Sequence, residues 1–235
     1  MAKTKDSKGN ELLESPEALA EKLSRTEDFV KRNRNFLLYA IVGIAVGIGA
    51  FLFLRHNNEQ KSLEAQNKMF SAILLFEQDS LDLALNGTPQ GPGFIEIAED
   101  YSSTKAGNLA KFYAGVSYLK KGSYQEAIDY LKDFSSNDLL LQGRAYSLIG
   151  DAYMEQKDYD NAINNYKKAA NYKPTEQFTP RYLIKLALAY EFNNDYKSAA
   201  EQYGKIVDDY PKSADATEAR KQQARLQALA SENNE

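Results

Sequence analysis

Residues 143–174, GRAYSLIGDAYMEQKDYDNAINNYKKAANYKP, carry small, aromatic and proline residues at the spacings of one helix–turn–helix unit. Ile149, Gly150 and Tyr153 fall on its first helix, Tyr159 and Ala162 open its second, and Tyr166, Ala169 and Pro174 close it. A hairpin that is apolar on both helices cannot bury itself, so it demands stacked neighbours at a period near ~34 residues. The chain supplies them. Asn108 to Leu141 carries Ala114, Gly115, Tyr118, Gly122, Tyr124, Ala127 and Leu131 at the matching offsets. It departs at its end, where Phe134 replaces a small residue and Leu139 stands where proline is usual. Pro180 to Ser213 carries Leu186, Ala187, Tyr190, Tyr196, Ala199, Tyr203, Ile206 and Pro211. Tyr118, Tyr153 and Tyr190 are 35 and 37 residues apart, which places a short insertion near Glu176-Gln177-Phe178.

Close packing explains these residue types. Gly115, Gly150 and Ala187 are expected to face Ala127, Ala162 and Ala199 so that paired backbones approach closely. Tyr118, Tyr153 and Tyr190 are expected to fill the groove toward the next unit, and Pro174 and Pro211 to end their hairpins. Residues 57–104 read as a degenerate opening hairpin. Met69, Phe70, Ile73 and Phe76 give its first helix an apolar face, Asn86 to Gly93 (NGTPQGPG) is a loop, and Phe94, Ile97, Ala98 and Tyr101 follow on a short helix. Residues 213–235 read as a capping helix and tail. Ala216, Ala219, Leu226 and Leu229 line one side, and Glu218, Arg220, Lys221 and Arg225 the other.

Ahead of the repeats, Phe36 to Leu54 runs 19 residues without a charge. At ~1.5 Å per residue this spans about 28 Å, close to a ~30 Å hydrocarbon core, and predicts a retained transmembrane helix over 36–54. A cleaved signal peptide is disfavoured by the 35-residue leader and by the direct passage from Leu54 into Arg55. Residues 1–35 form a polar tail, with a helix start at Ser15-Pro16-Glu17. Lys22, Arg25, Lys31, Arg32 and Arg34 precede the span, while Arg55, Lys61 and Lys68 follow it. That excess predicts a cytoplasmic tail and an external C-terminal bulk. Ala40, Gly43, Gly47 and Ala50 make a ridge of small residues, a pattern that permits close helix–helix packing in lipid, either in a homodimer or on another membrane protein.

Composition narrows the chemistry. There is no cysteine, and His56 at the end of the apolar run is the one histidine. Thiol nucleophiles, disulfides and histidine-based pairs are therefore excluded. The net charge of -4, without a dense basic run, disfavours nucleic acid. Gly91-Pro92-Gly93 lacks the lysine and Ser/Thr of a phosphate loop, and acidic pairs such as Glu126 with Asp129 or Asp208 with Asp209 fit exposed helical faces. No catalytic residue, cofactor or metal site is expected, and the function class is protein binding.

Over residues 108–213 the pattern resembles the tetratricopeptide repeat (TPR) family. The resemblance implies an all-α, TPR-like α-solenoid of helical hairpins, here preceded by a single transmembrane helix, with a protein-binding concave face built from first helices. Counted from each repeat's start, the inward positions are Phe112, Val116 and Leu119, then Ser147, Asp151 and Met154, then Ile184, Leu188 and Phe192. Members that clamp a C-terminal carboxylate carry lysines and asparagines where Phe112, Val116, Ser147 and Asp151 stand, so a carboxylate clamp is not expected on this face. Across residues 27–75, Val30-Lys31-Arg32, Val42-Gly43, Gly49-Ala50, Arg55, Asn58, Gln60 and Ala65 resemble the YfgM type of bacterial inner-membrane protein. That likeness implies a periplasmic TPR domain, with translocon subunits (SecYEG) and periplasmic chaperones as partners. The alternative is a self-associating organiser of a cell-envelope complex.

Overall fold

A computed structural model describes residues 29–232. The expected helix start at Ser15-Pro16 lies outside the described residues. The chain divides at Asn57 into two units. Among the described residues ten helices of six or more residues follow one another, and no β-strand forms beyond a single bridge between Thr88 and Gly91.

The first unit contains the start of α1 (Arg34–Glu77), and this helix is long and apolar enough to cross a membrane. None of its most apolar stretch is buried, and Phe36, Tyr39, Phe51 and Leu54 are each more than 60% exposed. A continuous exposed apolar surface of this kind marks a contact with a membrane or another protein.

The second unit begins with the later turns of α1. Ser62, Ala65, Met69 and Ala72 are buried there at alternating three- and four-residue steps. This corrects the expected apolar face, because Phe70 is 66% exposed while small Ala65 and Ala72 turn inward. The buried stripe follows the 62–65–69–72 phase, and Phe70, about 100° round the helix from Met69, falls outside it. Two short helices follow, α2 (Leu81–Asn86) and α3 (Phe94–Asp100). Phe76, Phe94 and Tyr113 form a ring cluster that ties α1 and α3 to the first repeat, with Phe94 and Tyr113 stacked at 5.2 Å.

Three hairpins come next: α4 (Lys105–Lys120) with α5 (Tyr124–Asp133), α6 (Leu139–Glu155) with α7 (Tyr159–Asn171), and α8 (Thr179–Phe192) with α9 (Tyr196–Asp209). Helix α10 (Ala216–Glu232) packs on α9, burying Ala219 and Leu226 in the core shared by the last two hairpins. Complete burial of Leu226 contributes about 1.5–3 kcal/mol. Tyr153 packs against both this core and the preceding one, so neighbouring hairpins share a continuous interior.

Each hairpin turns in the same way. The residues at 122, 157 and 194 adopt left-handed φ of 78°, 61° and 60°. The next amide, of Ser123, Asp158 or Asp195, donates to the carbonyl of Tyr118, Tyr153 or Tyr190 at 2.9 Å. This six-residue closure satisfies carbonyls that the ending helix leaves unpaired. Asp158 and Asp195 then cap the following helix by accepting from Asn161 and Ser198 amides. The same turn falls on glycine in the first repeat, lysine in the second and asparagine in the third.

The glycine at the middle of α4 and of α6 does more than face an alanine. A Cβ on Gly150 would lie 2.6 Å from the Tyr166 ring, and one on Gly115 would lie 2.6 Å from Leu131 Cγ. A large side chain from the second helix therefore occupies that space. Gly150→Val should lower stability by about 1–3 kcal/mol through overpacking. Lys157→Gly should raise it by about 1 kcal/mol, because a left-handed lysine carries a steric cost that glycine lacks. Thermal unfolding of the two variants checks both signs.

Candidate functional site

The first helices α4, α6 and α8 line a cleft of about 460 Å³, walled by Leu119, Tyr124, Asp151, Met154, Glu155, Tyr166, Lys185, Leu188 and Phe192. Five of the expected inward residues meet in it: Leu119, Asp151, Met154, Leu188 and Phe192. Four do not. Phe112 is 7% exposed, with its ring 5.2 Å from that of Phe134. Phe134 stands where the second repeat has Ala169 and the third Ile206, and Phe112 is the core partner of that enlarged side chain. Ser147 is 3% exposed and serves helix packing. Val116 and Ile184 are half-buried against the cores of their own repeats. Phe112 and Ser147 are thus corrected from binding positions to interior ones.

The centre of the cleft is polar. Lys185 Nζ lies 2.8 and 2.7 Å from the two carboxylate oxygens of Asp151, and the Tyr166 hydroxyl donates to Asp151 Oδ1 at 2.6 Å. Asp151 is therefore engaged within the protein and is not a free carboxylate for a partner. Burial pushes the Tyr166 phenol well above its ordinary range, and the neighbouring Asp151 carboxylate adds to the effect. Beside this network, the Tyr124 hydroxyl donates to Glu155 at 3.2 Å. At one end Leu188 and Phe192 are 41% and 60% exposed, and the Phe192 ring stacks on Tyr159 at 5.8 Å. Apolar side chains thus flank a centre in which Lys185 and Asp151 offset each other, an arrangement suited to a polypeptide segment.

Sequence reasoning missed Lys185, Tyr124 and Glu155. A signal for them exists in the repeat spacing. Asp151 and Lys185 are one repeat length apart, as are Glu191 and Arg225, whose charged atoms lie 2.5 Å apart. A search for opposite charges at that separation would have found both pairs. Among the described residues, no three His, Asp or Glu side chains come close enough to hold a metal ion.

Comparison with family models now assigns the hairpins. Models of the tetratricopeptide repeat match residues 109–138, 143–176 and 182–213. These segments cover the α4–α5, α6–α7 and α8–α9 hairpins. The chain carries tetratricopeptide repeats. No curated protein matches it. Such repeats generally bind protein partners, and the first-helix cleft lies where three of them meet.

Burial raises the phenols of Tyr166, Tyr182 and Tyr203, the last to about 12. A phenol with a raised folded-state value keeps its proton longer in the folded chain than in the unfolded one. The stability it confers is complete below the unfolded value of about 10 and is lost as pH climbs toward the folded value. The melting temperature should therefore hold steady from pH 7 to 9 and fall above pH 10. Tyr166→Phe should flatten the fall, which melting curves across that range would show.

Proposed function

We propose that the chain is a membrane-anchored scaffold whose repeats hold a polypeptide segment of a partner in the first-helix cleft. The observation that carries this reading is the cleft itself, spanning α4, α6 and α8 with exposed Leu188 and Phe192 at one end. In this reading α1 crosses a bacterial inner membrane through residues 36–54. The exposed apolar surface of that stretch and the larger number of basic residues before it support a cytoplasmic N-terminus and periplasmic repeats. Together with the YfgM-type likeness of residues 27–75, this points to an accessory of the secretion translocon or of a periplasmic chaperone network. Proteolysis of spheroplasts against intact cells tests the side: residues 108–213 should be cut only in spheroplasts.

Leu188→Asp combined with Phe192→Asp places two charges in the apolar end of the cleft without disturbing a buried side chain. When the tagged full chain is purified from membranes, translocon subunits or a chaperone should accompany the parent and be lost from this variant. Recovery of cell-wall enzymes alone would contradict the translocon reading. Unchanged recovery with the variant would contradict the cleft.

The second reading, self-association, rests on the Ala40, Gly43, Gly47 and Ala50 ridge. A Cβ on Gly43 or Gly47 would meet nothing within 4 Å, so isoleucine at both positions leaves the single chain unstrained. Gly43→Ile with Gly47→Ile should then halve the mass of the detergent-solubilised protein if the ridge pairs two copies. An unchanged mass rejects the pairing.

A further inference from the structure

A second groove lies away from the first-helix cleft, between α5 and the α6–α7 hairpin, with a volume of about 670 Å³. Every charged residue lining it is a lysine: Lys132, Lys167 and Lys168. This stands out in a chain whose net charge is -4. None of the three makes an ion pair among the described residues. Lys132 instead donates to the Tyr153 hydroxyl at 2.8 Å, Lys167 lies over the Tyr190 ring, and Lys168 over the Tyr146 ring.

The floor carries two buried amides. Asn165 is 7% exposed and Gln142 is 6% exposed. Asn165 donates through Nδ2 to the Asn161 carbonyl at 2.8 Å, and Gln142 accepts through Oε1 from the Ser136 amide at 2.6 Å. Among the described residues the Asn165 Oδ1 accepts no hydrogen bond and the Gln142 Nε2 donates none. One acceptor and one donor are thus left beneath a cationic rim, a set that matches the N–H and C=O of an extended peptide backbone.

The repeat architecture provides an internal control. The equivalent groove one repeat later, between α7 and the α8–α9 hairpin, is lined by Lys167 and Lys205 but also by Glu201 and Asp209. Thr179 and Gln202 stand there at the positions of Gln142 and Asn165. Gln202 is already satisfied, donating to the Ser198 carbonyl and accepting from Lys205. The groove shape recurs from one repeat to the next, whereas the uniform positive charge and open amides distinguish the earlier groove from the later one.

We propose that the α5–α7 groove binds an acidic, extended peptide segment of a protein partner. Side-chain carboxylates pair with Lys132 and Lys168 while the peptide backbone rests on Asn165 and Gln142. The site is independent of the first-helix cleft, so either can fail without the other. The test uses the full chain in detergent and fluorescence anisotropy of a labelled ten-residue peptide of alternating glutamate and alanine, beside the same peptide with glutamine for glutamate. Binding of the glutamate peptide, weakened about ten-fold or more by Lys132→Gln with Lys168→Gln and unaltered by Leu188→Asp, supports the site. Both lysines are exposed, and a melting curve verifies that the double variant is folded. Asn165→Asp, which sets a negative charge in the floor, should weaken binding as well. Equal binding of the glutamine peptide, no loss in the lysine variant, or displacement of the peptide by a short thymidine oligonucleotide at equal concentration overturns the proposal.

Discussion

The ring of Tyr166 lying on Gly150 connects every level of this structure. Within the hairpin it occupies space that any side chain at 150 would need, so the α7 ring packs directly on the α6 backbone. Its hydroxyl donates to Asp151, and Asp151 pairs with Lys185 on the first helix of the following repeat. One aromatic side chain therefore joins packing inside a repeat to recognition between repeats, and the same polar group forms the middle of the cleft. The counterparts of Tyr166 are Leu131 over Gly115 and Tyr203, 5% exposed, in the repeat of Ala187. Only the middle repeat combines the glycine, the ring and the interrepeat ion pair.

A stacked array of this kind offers two sorts of concavity, and the chain treats them differently. The first-helix cleft has apolar side chains around a centre that the protein neutralises for itself. The second-helix groove beside α7 has its amides and lysines left open, while its neighbour one repeat on is balanced internally. Partly exposed ion pairs such as Asp151 with Lys185 add little to stability in water, so register between repeats rests chiefly on buried contacts such as Ile149, Leu186 and Ile206. The polar pairs select which surfaces remain available.

Much of this was legible in the residues. Glycine, tyrosine and proline at a fixed offset gave the hairpins their places, because close approach, groove filling and helix termination each admit few residue types. Position along each helix was less legible. Ser147 lies one turn before the cleft residue Asp151 and Phe112 two turns before Leu119, so residues on nearly the same helical face end in the core or in the cleft according to their place along the helix. The enlarged Phe134 decides where Phe112 goes, and that is a tertiary fact. In α1, counting only large apolar residues selected Phe70, whereas the buried stripe is built from serine, alanine and one methionine. Left-handed Lys157 was hidden because lysine signals no turn, whereas Asn194, like the glycine at 122, is of a type that favours this conformation.

The account rests on the first-helix cleft as the place where a partner's chain is held. Site-specific photo-crosslinking in native membranes addresses this directly, with the crosslinker placed in turn at Met154 and Leu188 in the cleft and at exposed Glu126 on α5. Adducts to the same partner from Met154 and Leu188, and none from Glu126, are the predicted result. Adducts of equal yield from all three positions, or from Glu126 alone, would contradict it.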